Sequence, residues 1–371
     1  MVLSGVILDD DDCPDAIKSF IRNNKDIVIS EYIQRGLIGE VYFGKRIKLN
    51  DPIVLKFYLS QSGYDSSEEA VILRRIDHHN ILKVLDLRFL EPHFSFFMSP
   101  KILGGDLQER IENKAISSKK ALETIAGLLL GITELHSKHS LVHRDLKPGN
   151  ILIDTTKNNR PIIADLGSVK KIAIADGFVS ASKSTRAYLP PESILDNEYY
   201  FQSDLYQIGL IMYQLLGGHF PVQKPTGWLS DREFKKLEKI KNSIEKGLEF
   251  DKILNQKIIK GKIADTALLP PYLDSSFKRV LNKALHIDYS CRYQNSSEFL
   301  QAIHGLLCNH PSYLRKDDYL IVSHENGKKY RIYEYENDGY VLEKKLPDKD
   351  WRKDNHHDGS FSSILALARV T

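Results

Sequence analysis

The sequence predicts an α+β chain in which strands and helices are segregated, followed by a second, smaller strand-rich region. Three observations carry this. Strand-like runs fill the stretch from Asp26 to Met98, including Ile27–Ser30, Ile53–Leu55 and Phe94–Met98. A helix-like apolar segment then runs from Ala121 to His136, and helical spacing recurs at Phe234, Leu237, Ile240 and Ile244. Strand alternation returns in Tyr319–Val322, Lys329–Tyr335 and Gly339–Glu343, separated by the turn clusters Glu325-Asn326-Gly327 and Glu336–Gly339.

Composition narrows the class. A chain of 371 residues suffices for about two to three domains. The formal net charge of +3 argues neither for nor against nucleic acid, and with no long basic stripe with interleaved aromatics no nucleic-acid partner is expected. Cys13, Cys291 and Cys308 are too few and too scattered for a disulfide framework, which favours a reducing compartment. The Ala121–His136 segment is broken by Glu123, Thr124 and Glu134, so it reads as a buried helix rather than a membrane span. The acidic start, Asp9 to Asp12, does not resemble a signal peptide. The expectation is a soluble cytoplasmic protein with no membrane partner.

Taken in order, a short amphipathic helix follows Cys13-Pro14, with Ile17, Phe20 and Ile21 on one face. Gly36 and Gly39 then lie in a hairpin between strands, where backbone N–H groups can approach phosphate oxygens without an obstructing Cβ. Lys56 ends the apolar run Ile53–Leu55, and a lysine on such a strand needs a partner. The next helix, Glu68 to Ile76, offers Glu69. Strands are expected at Leu82–Leu90 and Phe94–Met98, and Asp106 precedes a helix that it could cap.

The stretch His143-Arg144-Asp145-Leu146-Lys147-Pro148-Gly149-Asn150 reads as a loop between helix and strand. An Asp carboxylate can receive a hydroxyl proton, a Lys ammonium can stand beside a moving phosphate, and an Asn carbonyl can hold a divalent cation. Together they suit phosphoryl transfer. Fifteen residues past Asn150, the strand-like Pro161–Ala164 ends in Asp165-Leu166-Gly167.

In these residues the chain resembles eukaryotic-type serine/threonine protein kinases. The resemblance covers about residues 30–307 and implies the bilobal protein-kinase fold: a β-rich N-lobe over 26–100, an α-rich C-lobe over 101–307, an N-terminal extension over 1–25 and a small β-rich C-terminal extension over 311–371. Gln34 stands where the first glycine of the family's glycine-rich loop belongs. The likeness implies ATP with Mg²⁺ (or Mn²⁺) as cofactors. Gly36, Gly39, Val41, Val54, Lys56, Met98, Asp106 and Leu152 would bind ATP, with either Met98 or Ser99 as gatekeeper. Lys56 would contact the phosphates and pair with Glu69, Asp145 would accept or orient the acceptor's proton, and Lys147 would stabilise the moving phosphoryl group. Asp165 and Asn150 would ligate metal. Ser180, Ser182, Ser184 and Thr185 fall in the activation loop, which Arg144 could clamp once it is phosphorylated. Thr185 would bond Asp145 and Lys147. Asp204 would brace the catalytic loop, and Glu192 would pair with Arg292.

The likeness therefore implies transfer of the γ-phosphate of MgATP to Ser or Thr of protein substrates, with autophosphorylation of the activation loop. The alternatives are a pseudokinase scaffold, for which Gln34, Val54 in place of the family's usual Ala and the inter-lobe segment Met98–Leu107, which lacks the usual acid after the gatekeeper, speak, and a small-molecule phosphotransferase. Lysines at 235, 236, 239, 241 and 246 are expected to be a solvated helix surface, with a dock for an acidic partner as the alternative. The last segment, Phe361–Val370, reads as a final strand of an extension that docks on the kinase and serves partner binding or autoregulation.

Overall fold

A computed structural model describes the chain except residues 1–12, 35–38, 60–71, 92–93, 114, 174–176, 182–184, 222–224, 335–338, 355–359 and 371. It divides into two compact units, residues 1–105 with 152–166, and residues 106–151 with 167–371.

The first unit is built on one antiparallel sheet of β1 (Ile27–Gln34), β2 (Gly39–Arg46), β3 (Asp51–Leu59), β4 (Asp86–Glu91) and β5 (Phe94–Pro100), in the order β1-β2-β3-β5-β4. The period-two pattern sorts its side chains by face. Ile29, Tyr42, Ile53, Leu55, Phe57, Phe96 and Met98 form one core with Ile17, Phe20 and Ile21 of helix α1 (Asp15–Asn23). The Phe20 ring lies 4.2 Å from Phe96 and 5.4 Å from Phe57. α1 thus covers one face of the sheet, as its amphipathic spacing requires.

Cross-strand pairing puts Val41 and Phe97 opposite Lys56, and Phe43 and Ser99 opposite Val54, on the other face. The hairpin of β7 (Ile151–Asp154) and β8 (Arg160–Ile163) is stapled beside this sheet. Leu82 N–H donates to the Ile163 carbonyl at 2.8 Å, Ile163 N–H donates to the Asn80 carbonyl at 2.8 Å, and the Asn80 amide donates to Pro161 O at 2.8 Å. Leu82, Ile162 and Ala164 form a small core there, with Phe97, Ile102 and Leu152 packed on it.

The second unit is mostly helical. After α2 (Leu107–Asn113), α3 (Ser118–Thr133) is capped by the Ser117 hydroxyl and passes into a π turn at Glu134–Lys138. Its buried positions, including Leu122, Ile125, Leu129 and Ile132, recur at helical spacing. Two short strand pairs follow, β6 (Leu141–Val142) with β9 (Lys170–Lys171), and β10 (Val179–Ser180) with β11 (Glu198–Tyr199) across α4 (Pro191–Leu195). α5 (Phe201–Leu215) is buried from Ser203 onward.

The Phe234–Ile244 spacing, read as one helix, is two in the structure: α6 (Asp231–Glu238) and α7 (Ser243–Ile259). The break lies at Asn242, whose side chain accepts from the Ile244 and Glu245 amides and so starts a new helix. Lys236–Glu249, Lys246–Glu238 and Lys257–Glu233 ion pairs link the two. α8 (Ser275–Ala284) and α9 (Ser296–Asn309) complete the helical body.

The extension is a five-stranded antiparallel meander, β12 (Ser312–Arg315), β13 (Tyr319–Ser323), β14 (Lys329–Glu334), β15 (Tyr340–Lys345) and β16 (Arg352–Lys353). Gly327, at φ +82°, makes the turn between β13 and β14 in a region that L side chains avoid. Phe361–Val370 is not a strand. Phe361–Arg369 forms helix α10, capped by the Ser360 hydroxyl. Its buried Ile364, Leu365 and Ala368 follow a helical stripe, and this packing against the sheet decides a short apolar run that period alone leaves ambiguous. His324 Nε2 donates to the Ala368 carbonyl at 2.7 Å, tying the helix to the sheet. The extension meets the helical body where Tyr313 N–H donates to the Ser118 hydroxyl at 2.9 Å and Arg369 donates to the Tyr272 carbonyl at 2.9 Å. Among the described residues no helix is long and apolar enough to cross a membrane, and no disulfide joins Cys13, Cys291 and Cys308.

Candidate active site

The second unit carries the loop His143–Asn150, and its backbone is unusual. Arg144 has φ +70°, a left-handed conformation that costs a non-glycine residue about 1–2 kcal/mol. What holds it is Asp204 on the first turn of α5. This fully buried carboxylate accepts from four donors: His143 N–H at 2.8 Å, Arg144 N–H at 3.0 Å, Tyr199 Oη at 2.7 Å and His136 Nε2 at 2.8 Å. Burial alone would raise its pKa. The hydrogen bond and charge of His136, the charge of His143 and the His143 amide outweigh burial and hold it below the usual carboxylate value. One turn further on, Gln207 accepts from Leu146 N–H at 2.8 Å and from Tyr199 Oη at 3.0 Å. Burial, with the Asp204 carboxylate beside it, pushes the Tyr199 hydroxyl well above its ordinary pKa, so it stays a neutral donor.

On this frame the polar side chains converge. Lys147 Nζ lies 2.9 Å from Asp145 Oδ2 and 3.1 Å from Thr185 Oγ1. The Asn150 amide nitrogen donates to the Asp145 carbonyl at 2.8 Å and to Asp145 Oδ2 at 2.9 Å. Asp145 Oδ1 is buried and has no hydrogen-bond partner among the described residues. Lys147 therefore bridges Asp145 and Thr185; no direct bond joins those two among the described residues. Arg144, expected to face a phosphate, is buried and donates to two backbone carbonyls, Ser168 at 2.6 Å and Ser180 at 2.8 Å. It thereby holds the ends of the segment that contains Lys170 and Gly177.

A buried ion pair closes the same unit. Arg292 Nη1 and Nη2 donate to Glu192 at 2.9 and 2.7 Å, Nε donates to the His286 carbonyl at 2.7 Å, and the guanidinium lies over the Tyr206 ring at 4.7 Å. Bidentate geometry and satisfied donors are what make such a buried pair tolerable.

The first unit holds Lys56 and Asp165. Lys56 Nζ lies 2.5 Å from Asp165 Oδ1. Asp165 has φ +57°, a conformation that Asp tolerates better than most residues. Their meeting follows from the fold, since β8 is fastened to residues 80–82 and delivers Asp165 to the face of β3 that carries Lys56. Val41, directly across from Lys56, and Val54 share that face, and Leu152 packs on the small core around Leu82. Glu69, Gly36, Ser182 and Ser184 lie outside the described residues. Gly39 opens β2, opposite Tyr58.

The assignment of Met98 to nucleotide contact needs correction. Met98 pairs with Leu55 and packs in the core under α1, so strand parity turns it away from Lys56. Ser99, buried opposite Val54, is on the Lys56 face, as is Phe97. Asp106 Oδ1 accepts the Glu109 amide at 2.9 Å, the helix-capping alternative. Tyr199, Gln207, His136 and Phe97 are site-supporting residues that the motifs did not reveal. Only counting in twos from Lys56 along paired strands could have found Phe97.

Comparison with known proteins agrees with this layout. A protein kinase domain model matches residues 27–312. The chain is 30% identical over 209 residues to the serine/threonine-protein kinase atg1 of Dictyostelium discoideum, covering 52% of this chain and 30% of that one. It is 29% identical over 214 residues to the serine/threonine-protein kinase PknL of Mycobacterium tuberculosis, covering 56% and 53%. It is 27% identical over 202 residues to the serine/threonine-protein kinase TIO of Arabidopsis thaliana, covering 53% and 15%. The matched part spans about half or less of the length of these relatives. With the family match running from the first strand of the sheet to the first strand of the extension, the chain belongs to the protein kinase family.

Proposed function

We propose that the chain is a serine/threonine protein kinase that transfers the γ-phosphate of MgATP to hydroxyls of protein substrates. The observation that carries this reading is the Asp145 carboxylate. One oxygen is held by Lys147 and Asn150, while the other is buried and unpartnered among the described residues. An unsatisfied buried acceptor costs about 1–3 kcal/mol, and such a cost is retained where function uses the atom. In this reading Oδ1 receives or orients the acceptor hydroxyl proton as the new O–P bond forms and the bond to the ADP oxygen breaks. Lys147 Nζ stabilises charge on the phosphoryl group in transit, and Lys56 contacts the α- and β-phosphates.

The donor set suits a hard cation. Asp165 offers a carboxylate. Asn150 spends its amide nitrogen on Asp145, leaving its carbonyl oxygen as the remaining group; by the family likeness, Asp165 and Asn150 are the residues that would hold Mg²⁺. Mg²⁺ is commonly held by one or two carboxylates, with water and substrate phosphates completing its shell. When bound, the ion neutralises charge on the phosphates.

Val41, Val54 and Leu152 would line the adenine site, together with Ser99 in place of Met98. The Lys147–Thr185 contact supports Ser/Thr acceptors. Ser180, exposed on β10, and Thr185 remain the described candidates for autophosphorylation. The test is incorporation of labelled γ-phosphate into protein by wild type, Asp145→Ala and Asp165→Ala. Loss of about 10²–10⁴-fold in the Asp145 variant is expected. Nucleotide binding by wild type without label on any protein would instead identify a scaffold, and full activity of the Asp165 variant would remove the metal assignment.

A further inference from the structure

We propose that the junction of the C-terminal extension with the helical body is a binding site for a small apolar ligand bearing a carboxylate. A cavity of about 200 Å³ lies there. Its apolar lining comes from Ile111, Ile116, Leu216 and Leu273 of the helical body, and β12 adds Tyr313 and Arg315. Apolar cavities with one or two convergent polar groups are the usual form of a small-ligand site.

The charge of the ligand follows from which polar groups are already engaged. The Ser118 hydroxyl accepts from the Tyr313 amide at 2.9 Å. The Gln214 side chain accepts from Tyr188 Oη at 3.1 Å and donates to the Leu210 carbonyl at 3.1 Å. Arg315 differs. It is exposed, makes one hydrogen bond, to the Asp317 carbonyl at 3.3 Å, and pairs with no carboxylate among the described residues. Arg315 lines the cavity together with Tyr272; burial raises the Tyr272 hydroxyl pKa, and the Arg315 charge opposes that rise. A guanidinium with spare donors beside this mixed apolar and polar lining favours an anionic head, and a carboxylate matches its fork.

The wall is preformed and is completed by the extension. Arg369 of α10 donates to Tyr313 Oη at 3.0 Å and to the Tyr272 carbonyl at 2.9 Å, and the Tyr272 and Tyr313 rings lie 5.7 Å apart. A ligand seated there touches both the helical body and β12, so it binds only while the extension is docked and stabilises that docking by mass action.

The test uses the full chain with methyl-labelled leucine, followed by NMR during titration with hexanoate, hexanol and hexylamine. A short peptide ending in a free C-terminal leucine, and its amide, form a second arm. Hexanoate or the free-acid peptide should shift the Leu216 and Leu273 methyls, and whichever binds tighter identifies the source of the carboxylate. Hexanol and hexylamine should bind about tenfold more weakly or worse. Arg315→Ala should cost the acid about tenfold and bring it level with the alcohol. Ala115→Trp, at an exposed edge of the cavity, should abolish binding while an unchanged melting curve shows the fold intact. The proposal is overturned if no acid moves these methyls, if the amine binds as well as the acid, or if both variants bind hexanoate like wild type.

Discussion

Replacing Asp204 by asparagine is the most direct test of how the His143–Asn150 loop is held. Asparagine keeps the shape and one carbonyl oxygen, so Arg144 N–H and Tyr199 Oη, both on Oδ1, can keep an acceptor. The Oδ2 position becomes an NH₂ group facing two donors, the His143 amide and His136 Nε2, each at 2.8 Å in the wild type. Two buried donors then lack an acceptor, at about 1–3 kcal/mol each, and the strain at Arg144 is no longer offset. The expected loss is about 3–5 kcal/mol, the range for breaking a buried charged pair.

A chain of two compact units need not unfold in one step, so the assay is local. Hydrogen exchange at the His143–Leu146 amides should accelerate by the corresponding factor, about 10²-fold or more. Amides in β13 of the extension should be unaffected. The wild type carries a pH signature from the same carboxylate. Its folded pKa lies below the unfolded value of about 3.9, so its contribution is complete above that value and is lost as pH falls through the folded pKa. The asparagine variant should lack this acid-side loss. Equal exchange in variant and wild type, together with an unchanged acid limb, would refute the bracing role.

Two further outcomes follow from packing. Arg292→Ala leaves Glu192 buried without its partner and should cost about 3–5 kcal/mol. Arg292→Lys keeps the charge but not the fork, so its thermal midpoint should fall between the two, and a lysine variant as stable as wild type would show that bidentate geometry is unimportant here. Ile364→Ala, at a position only 1% exposed on α10, should lose about 2–5 kcal/mol. In limited proteolysis the cuts should fall in the extension first, and cuts first in α3 or α5 would contradict the packing of α10 on the sheet.

Much of the candidate site was legible because its chemistry sits in short loops. The order Asp145, Lys147, Asn150 and the later Asp165 announces phosphoryl transfer through residue type and spacing, quantities that need no tertiary contact. α1 and α3 were equally legible, since Ile17, Phe20 and Ile21, and the apolar run from Ala121, repeat at the helix period. What depended on pairing was not. Met98 and Ser99 are neighbours in the chain, yet one lies under α1 and the other beside Val54, because strand register sets the parity of facing. Phe361–Arg369 is a helix whose stripe found the extension sheet, and the short apolar run could not show this by period alone. A single helix through Ile244 was the natural reading of spacing until the Asn242 side chain captured two amides.

By itself, the sequence determined the fold class and the family, since these rest on local pattern. Only the tertiary structure decided that Asp204, 60 and 61 positions beyond the backbone amides it accepts, carries four donors. It also decided that Arg144 is committed to carbonyls and that one oxygen of Asp145 is left without a partner among the described residues. Hydrogen-bond saturation is a property of the three-dimensional neighbourhood, and no spacing along the chain encodes it.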